Sequence, residues 1–353
     1  MTLTTDTLTL NEERHVTLTV MVQAVGGEFG QISRRPAVLI LPGGGYSMCS
    51  DREAEVVAFP YLQAGYQAFV LRYSVGEFRK WPNPLDDYEQ AMRMIRGNAD
   101  PWHVDPGKIA VIGFSAGGHL AACAATMAEN RPNAAILGYA AYSEKLMRMC
   151  QPGVRVPSPI DCVDENTCPC FLFAARNDVV VPIEENILPF EMALCRYGIS
   201  FESHIYSYGG HGFGTADPCV VLDASSKRLP DWTRDSVGWL DEVFGQLTVR
   251  GFGDPQIGPK INGNAEPALS VSCTVSYIKR QGGQAMEAAG DGIALVDRIG
   301  HERFGSEFCL SDYLGTMTLG DVLREAGMDS AAISRIDAAL KKIPNKKDMR
   351  ERG

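Results

Sequence analysis

No stretch of this 353-residue chain approaches the run of about eighteen apolar residues that a membrane span requires, which argues against a place in the bilayer. The segment from Met1 to Leu10 carries neither the basic start nor the apolar core of a signal peptide, so the expected location is the cytoplasm. Positive charge is short as well. With 33 basic residues against 43 acidic ones the net charge is -10, the wrong sign for a protein that grips phosphate backbones, and nucleic acid is not an expected partner. Paired cysteines are also missing. The ten cysteines are scattered, and Cys123, Cys170 and Cys195 stand inside apolar runs where a reduced thiol behaves as a small hydrophobe. Cys162, Cys168 and Cys170 lack the paired spacing of a zinc site, so no metal is expected.

What is present has an ordinary globular balance, 45% hydrophobic and 22% charged, with length for one large domain and a smaller one. Residues 16–23 alternate polar and apolar in the manner of an edge strand, and 36–41 is a continuous apolar run of the doubly buried kind. Similar runs recur at 66–72, 108–112, 134–138, 170–174 and 201–208, and helix-like segments near 53–64, 84–98, 117–130, 184–197 and 230–244 separate them. Such alternation predicts an α/β fold built on a mostly parallel sheet, with the ligand site beyond the carboxyl ends of the strands.

One motif stands at that edge. Gly113-Phe114-Ser115-Ala116-Gly117 follows one of these runs directly and opens a helical segment, the setting of a nucleophile elbow. Small residues two positions either side of the serine are required because a Cβ there would collide with the turn. A serine hydroxyl is a poor nucleophile near neutral pH, so it needs a general base and a carboxylate that orients the base. Asp178, just after the run 170–174, is the acid candidate. Asp161 and Asp164 precede that run and would lie at its far end. His211, flanked by Gly210 and Gly212 directly after 201–208, is the base candidate. Among the other histidines, His119 falls one turn into the helix and is expected to be a buried structural imidazole. An oxyanion hole needs the N–H of the residue after the nucleophile and another from the loop after the third strand. Those are Ala116 and a glycine of the run Gly43-Gly44-Gly45.

Together, Pro42-Gly-Gly-Gly-Tyr46, Gly113 to His119, Asp178 and His211-Gly-Phe213 resemble the alpha/beta-hydrolase esterases related to hormone-sensitive lipase, most closely their acetylesterase and acetyl-xylan-esterase-like branch. The resemblance spans roughly residues 15 to 245. It implies an eight-stranded alpha/beta-hydrolase sheet, hydrolysis of short acyl esters with no metal or organic cofactor, and Gly44 and Gly45 as the donors beside Ala116. Pro42 stands where the wider family usually has histidine, which removes a side-chain brace and leaves the N–H donors.

Only about thirty residues separate Tyr139 from Cys170, the interval where lipases of this fold insert a large lid, so none is expected. A small acyl group on a bulky polar alcohol, such as an acetylated xylo-oligosaccharide, suits such a site better than a fatty chain. Tyr46, Trp81 and Phe213 could stack on a sugar, wall the acyl pocket, or simply pack. The same machinery would also serve a peptidase or an arylformamidase, and a non-catalytic binding protein is the alternative of another class.

A Gly- and Pro-rich stretch at 251–259 marks a connector, dividing a catalytic domain, 1–248, from a C-terminal module, 249–353. The module reads as a strand over 269–279 and then a helical hairpin, with a capping box at Thr318 to Asp321, an N-cap at Asp329, and Ile333, Ile336, Leu340 and Ile343 on one stripe. That stripe covers the module itself or the catalytic domain, joins copies of the chain as a homo-oligomer, or attaches a ligand. The basic run 341–352 is expected to be a solvated helix end.

Overall fold

In the computed structural model, which describes residues 2–28, 30–151, 153–220, 226–258 and 268–345, the apolar runs of the first of two units lie side by side in one sheet. Its strands are β1 (Leu3–Asn11), β2 (Val16–Gln23), β3 (Arg35–Leu41), β4 (Gln67–Arg72), β5 (Val104–Phe114), β6 (Ala134–Gly138), β7 (Cys170–Ala175) and β8 (Phe201–Tyr206). They are ordered β1-β2-β4-β3-β5-β6-β7-β8. The first two pairings are antiparallel, and every pairing from β4 to β8 is parallel. All seven residues of β3 are buried. Successive side chains of a strand face opposite ways, so this layer is covered on both sides.

The covering helices are α1 (Glu55–Gln63), α2 (Asn83–Gly97), α3 (Ser115–Met127), α4 (Glu144–Cys150), α5 (Pro159–Cys162), α6 (Ile187–Arg196) and α7 (Asp231–Phe244). Val57 and Tyr61 of α1 and Trp232 and Leu240 of α7 join Val38, Ile40, Ala110 and Ile112 in one buried cluster. Trp232 stacks on Phe173 at 4.4 Å, and its indole N–H donates to the Gly214 carbonyl, so one core side chain also holds the loop after β8. Burying a ring of that size contributes roughly 1.5–3 kcal/mol.

Register decides which loops meet. Leu41 lies opposite Gly113, Phe114 opposite Gly138, and Ala175 opposite Tyr206. The segments that begin at Pro42, Ser115, Tyr139, Arg176 and Ser207 therefore all emerge at one edge of the sheet.

This unit closes at Ile257 rather than at residue 248. Two short strands, β9 (Leu247–Thr248) and β10 (Gly251–Phe252), pair with each other, and the amides of Gln256 and Ile257 both donate to the Glu242 carbonyl of α7. Those bonds tie the connector back to the sheet-bearing unit.

The second unit is helical: α8 (Val275–Gln281), α9 (Gly283–Phe304), α10 (Leu310–Tyr313), α11 (Leu319–Glu325) and α12 (Ser330–Leu340). The strand expected over 269–279 is not formed. Thr274 instead caps α8 by accepting the Tyr277 N–H, and two isolated bridges, Ala268 to Pro344 and Thr274 to Thr318, stand in its place. The expected hairpin is α11 and α12, capped by Thr318 and Asp329, with Ile333 and Leu340 in a core to which Ile336 and Ile343 pack. Residue 259 of the connector and the basic run beyond residue 345 lie outside the described residues.

Candidate active site

Ser115 is the first residue of α3 and has φ of +52°, a left-handed conformation that costs a side-chain-bearing residue about 1–3 kcal/mol. Close packing enforces it. A Cβ on Gly117 would lie 2.2 Å from the Leu41 carbonyl oxygen, and one on Gly113 2.3 Å from that of Gly117, so strand, turn and helix meet with no room between them. The turn leaves the hydroxyl at the sheet edge.

The three residues expected to act together are in contact. Ser115 Oγ lies 2.8 Å from His211 Nε2, and His211 Nδ1 lies 2.7 Å from Asp178 Oδ2. Asp178 is buried, and its other oxygen accepts the N–H groups of Val180 and Val181 at 2.9 and 2.8 Å. Asn177 Oδ1 accepts from Gly209 and Gly210, which fastens the acid loop to the histidine loop. With its Nδ1–H committed to the carboxylate, the imidazole presents a free Nε2 lone pair to the serine.

Beside the hydroxyl runs the glycine loop. Gly44 has φ of +128°, and a Cβ on it would lie 2.2 Å from the Met48 carbonyl oxygen, so only glycine fits. The carbonyls of Gly43 and Gly44 accept from Ser50, Ser47 and Met48, and the Gly43 N–H is taken by Glu53. Among the described residues no protein acceptor meets the N–H of Gly44 or Gly45. The Ala116 N–H belongs to the first turn of α3, where no intrahelical acceptor exists. Gly44, Gly45, Ala116, Ser115 and His211 line one cavity of about 330 Å³. Ala141, Leu146, Met147, Val180 and Val181 give it an apolar wall.

The three aromatic candidates are not on that wall. Tyr46, at φ of +57°, turns inward and is fully buried, its hydroxyl 2.8 Å from His119 Nδ1. Phe213 is buried against Tyr139 and Phe173, with ring centroids 4.6 and 5.9 Å away. Trp81 sets its edge against His119 and gives its backbone N–H to Gln151. Tyr46 and Phe213 are buried packing, and half-buried Trp81 lies outside the cavity lining. The walls come instead from α4, a seven-residue helix in the short interval where no large lid was expected, and from the acid loop.

His119 is buried, as expected of it. Its Nδ1 accepts from the Tyr46 hydroxyl, and its Nε2–H donates to the Pro157 carbonyl. Burial lowers its pKa from 6.5 to about 4. In that window the unfolded chain binds a proton that the native one refuses, so this group's contribution to stability is lost as pH falls from about 6.5 to about 4, amounting to about 3 kcal/mol. Urea unfolding at pH 7 and pH 4.5 checks this. His119→Gln should show a flatter acid decline than the parent, and equal declines would mean the imidazole is not held neutral.

Glu53 also lines the cavity and was not among the candidates. It is buried, which raises the pKa of its carboxyl, and it accepts from the Gly43 N–H at 2.8 Å and the Tyr139 hydroxyl at 2.6 Å. In the sequence it is an acid three residues after Ser50 and ahead of an apolar helix, a pattern that reads as a helix cap. Among the described residues there is no group of three His, Cys, Asp or Glu side chains able to hold a metal ion.

Known proteins resemble this chain over part of its length. The profile of the BD-FAE family matches residues 30–148. An endo-1,4-beta-xylanase B from Butyrivibrio fibrisolvens is 32% identical over 213 residues, covering 52% of this chain and 33% of that protein. An acetylxylan esterase from Xylanibacter ruminicola is 32% identical over 217 residues, covering 56% of this chain and 45% of that protein. The chain thus spans less than half the length of these two curated relatives. MGS-M1, an alpha/beta hydrolase enzyme from a Medee basin deep-sea metagenome library, superposes with a TM-score of 0.63 at 41% identity, covering 68% of this chain and 98% of that one. With its eight-stranded sheet, its serine elbow and this match to nearly the whole of a solved alpha/beta hydrolase, the chain belongs to the alpha/beta-hydrolase family, and over part of its length it is similar to an acetylxylan esterase.

Proposed function

We propose that this protein is a serine carboxylesterase that removes acetyl and other short acyl groups from carbohydrate esters of the xylan type. The observation that carries this is the hydrogen-bonded chain Ser115–His211–Asp178, set beside the N–H groups of Gly44 and Gly45, which meet no acceptor among the described residues, and the first-turn N–H of Ala116. Ser115 Oγ attacks the ester carbonyl carbon while its proton passes to His211 Nε2, and Asp178 steadies the imidazolium that results. The carbonyl oxygen takes up negative charge among the three N–H donors. Collapse breaks the bond to the alcohol, which leaves with the proton from Nε2. A water molecule then attacks the acyl-serine, gives its proton to Nε2, and the acid departs as the serine is reprotonated.

Substrate class is supported by the site and by the relatives together. A cavity of about 330 Å³ with an apolar wall suits a small acyl group. The names of the two curated relatives both concern xylan. The kcat/KM on p-nitrophenyl esters is expected to fall at least tenfold from acetyl to octanoyl, with acetate released from acetylated xylo-oligosaccharides. Cleavage of formanilides or peptides with no preference for esters would instead favour an arylformamidase or peptidase on the same machinery.

A further inference from the structure

Glu53 belongs to a short 3-10 turn, Asp51–Glu53, ahead of α1, and is 4% exposed. A carboxyl group so placed is costly to bury unless it is fully hydrogen-bonded. Its two oxygens serve different loops. Oε2 accepts from the Gly43 N–H, in the loop that carries Gly44 and Gly45. Oε1 accepts from the hydroxyl of Tyr139, the residue after β6, and that hydroxyl oxygen accepts in turn from the Gly214 N–H, three residues after His211. The Tyr139 ring stands edge-on to the His211 imidazole at 5.1 Å and packs on Phe213. A continuous line of three hydrogen bonds therefore runs from the glycine loop to the histidine loop, through a carboxylate and a phenol that the mechanism does not use. It also commits the Gly43 N–H, which holds the peptide unit just ahead of the next two donors.

We propose that Glu53 and Tyr139 are a positioning pair that locks the glycine loop and the histidine loop into one unit, so that the oxyanion donors and the general base are set in register by a single bridge. The proposal rests on the esterase reading for its kinetic consequence, and on geometry alone for the coupling itself. Neither side chain moves a proton in the reaction. Loss of either end lets donor and base drift apart, and misplacement on the order of 1 Å costs about a hundredfold in rate.

Tyr139→Phe keeps the ring packing and deletes only the hydroxyl; Glu53→Gln keeps size and deletes the charge. On p-nitrophenyl acetate each single variant is expected to lose ten- to a hundredfold in kcat with KM within threefold of the parent. The double variant should lose no more than the worse single one, since members of one unit are not additive. A single variant within twofold of the parent kcat, or a double loss equal to the product of the singles, would overturn the pair. Amide hydrogen exchange tests the coupling without any turnover. In Glu53→Gln the Gly214 amide, whose own acceptor is unaltered, should exchange at least tenfold faster, and unchanged protection there would also defeat the proposal. If Glu53→Gln does not fold, exchange at Gly43 in Tyr139→Phe is the reciprocal measurement, with the same two outcomes. An esterase reading that failed would show instead as a parent without acetate release, leaving the exchange result to stand or fall separately.

Discussion

Replacing Ser115 by alanine should lower turnover on p-nitrophenyl acetate by about a millionfold, the loss seen when a serine triad is deprived of its nucleophile. The substitution is well posed at this position. Alanine carries the same Cβ that the elbow already accommodates at φ of +52°, so the turn locked by Gly113 and Gly117 keeps its shape and only the oxygen is lost. With no oxygen at Ser115, no acyl-enzyme can form. What survives is hydrolysis by water at a carbonyl still polarised by Gly44, Gly45 and Ala116, a residue of about 10³ to 10⁴ over the uncatalysed rate. Stopped-flow release of p-nitrophenol, with unfolding curves to show an intact fold, decides the matter. A variant that hydrolyses the ester at the parent rate would place the chemistry elsewhere.

Asp178→Asn should cost about 10⁴ in kcat, and for a different reason. Asparagine can still accept the N–H groups of Val180 and Val181 through its oxygen, so the loop is expected to hold. Its amide then faces His211 Nδ1 with a donor where the imidazole also needs to donate. The ring answers by placing its proton on Nε2, the atom that must accept from Ser115. The nucleophile stays in place without a base. The signature is an acylation rate that falls with pH-independent binding of the ester, and a kcat within tenfold of the parent would show that the carboxylate does not control the tautomer.

Parts of this molecule are plain in its sequence because burial writes a period into it. β3 and β7 lie among parallel neighbours, covered on both sides, and so appear as unbroken apolar runs. Ser115, Asp178 and His211 are legible because each follows such a run and because glycines flank the serine and the histidine. β1 is not legible in this way. It is an edge strand whose first five residues are exposed, so no core face appears in Leu3–Asn11. α4 buries only Met147 and shows no stripe. α9 hides for the opposite reason: its glycines argue against a helix, yet a Cβ on Gly292 would lie 2.7 Å from Leu323 and one on Gly300 2.6 Å from Leu310. There glycine is what allows helices to touch. Tyr46 and Phe213 show what sequence position leaves open. They neighbour the site along the chain, but backbone handedness and ring packing turn their side chains under it.

The helix α4 supplies Leu146, Met147 and Cys150 to the cavity and none of the hydrogen-bonding groups of the reaction. It occupies the crossover between β6 and β7, a place where segments can lengthen, shorten or be exchanged while the hydrogen-bonded strands around them keep their pairing. The part of the cavity wall that α4 provides thus lies in a stretch of chain separate from Ser115, Asp178 and His211. A lineage, or an engineer, can reshape that wall by rewriting seven residues and leave the reacting groups inherited intact.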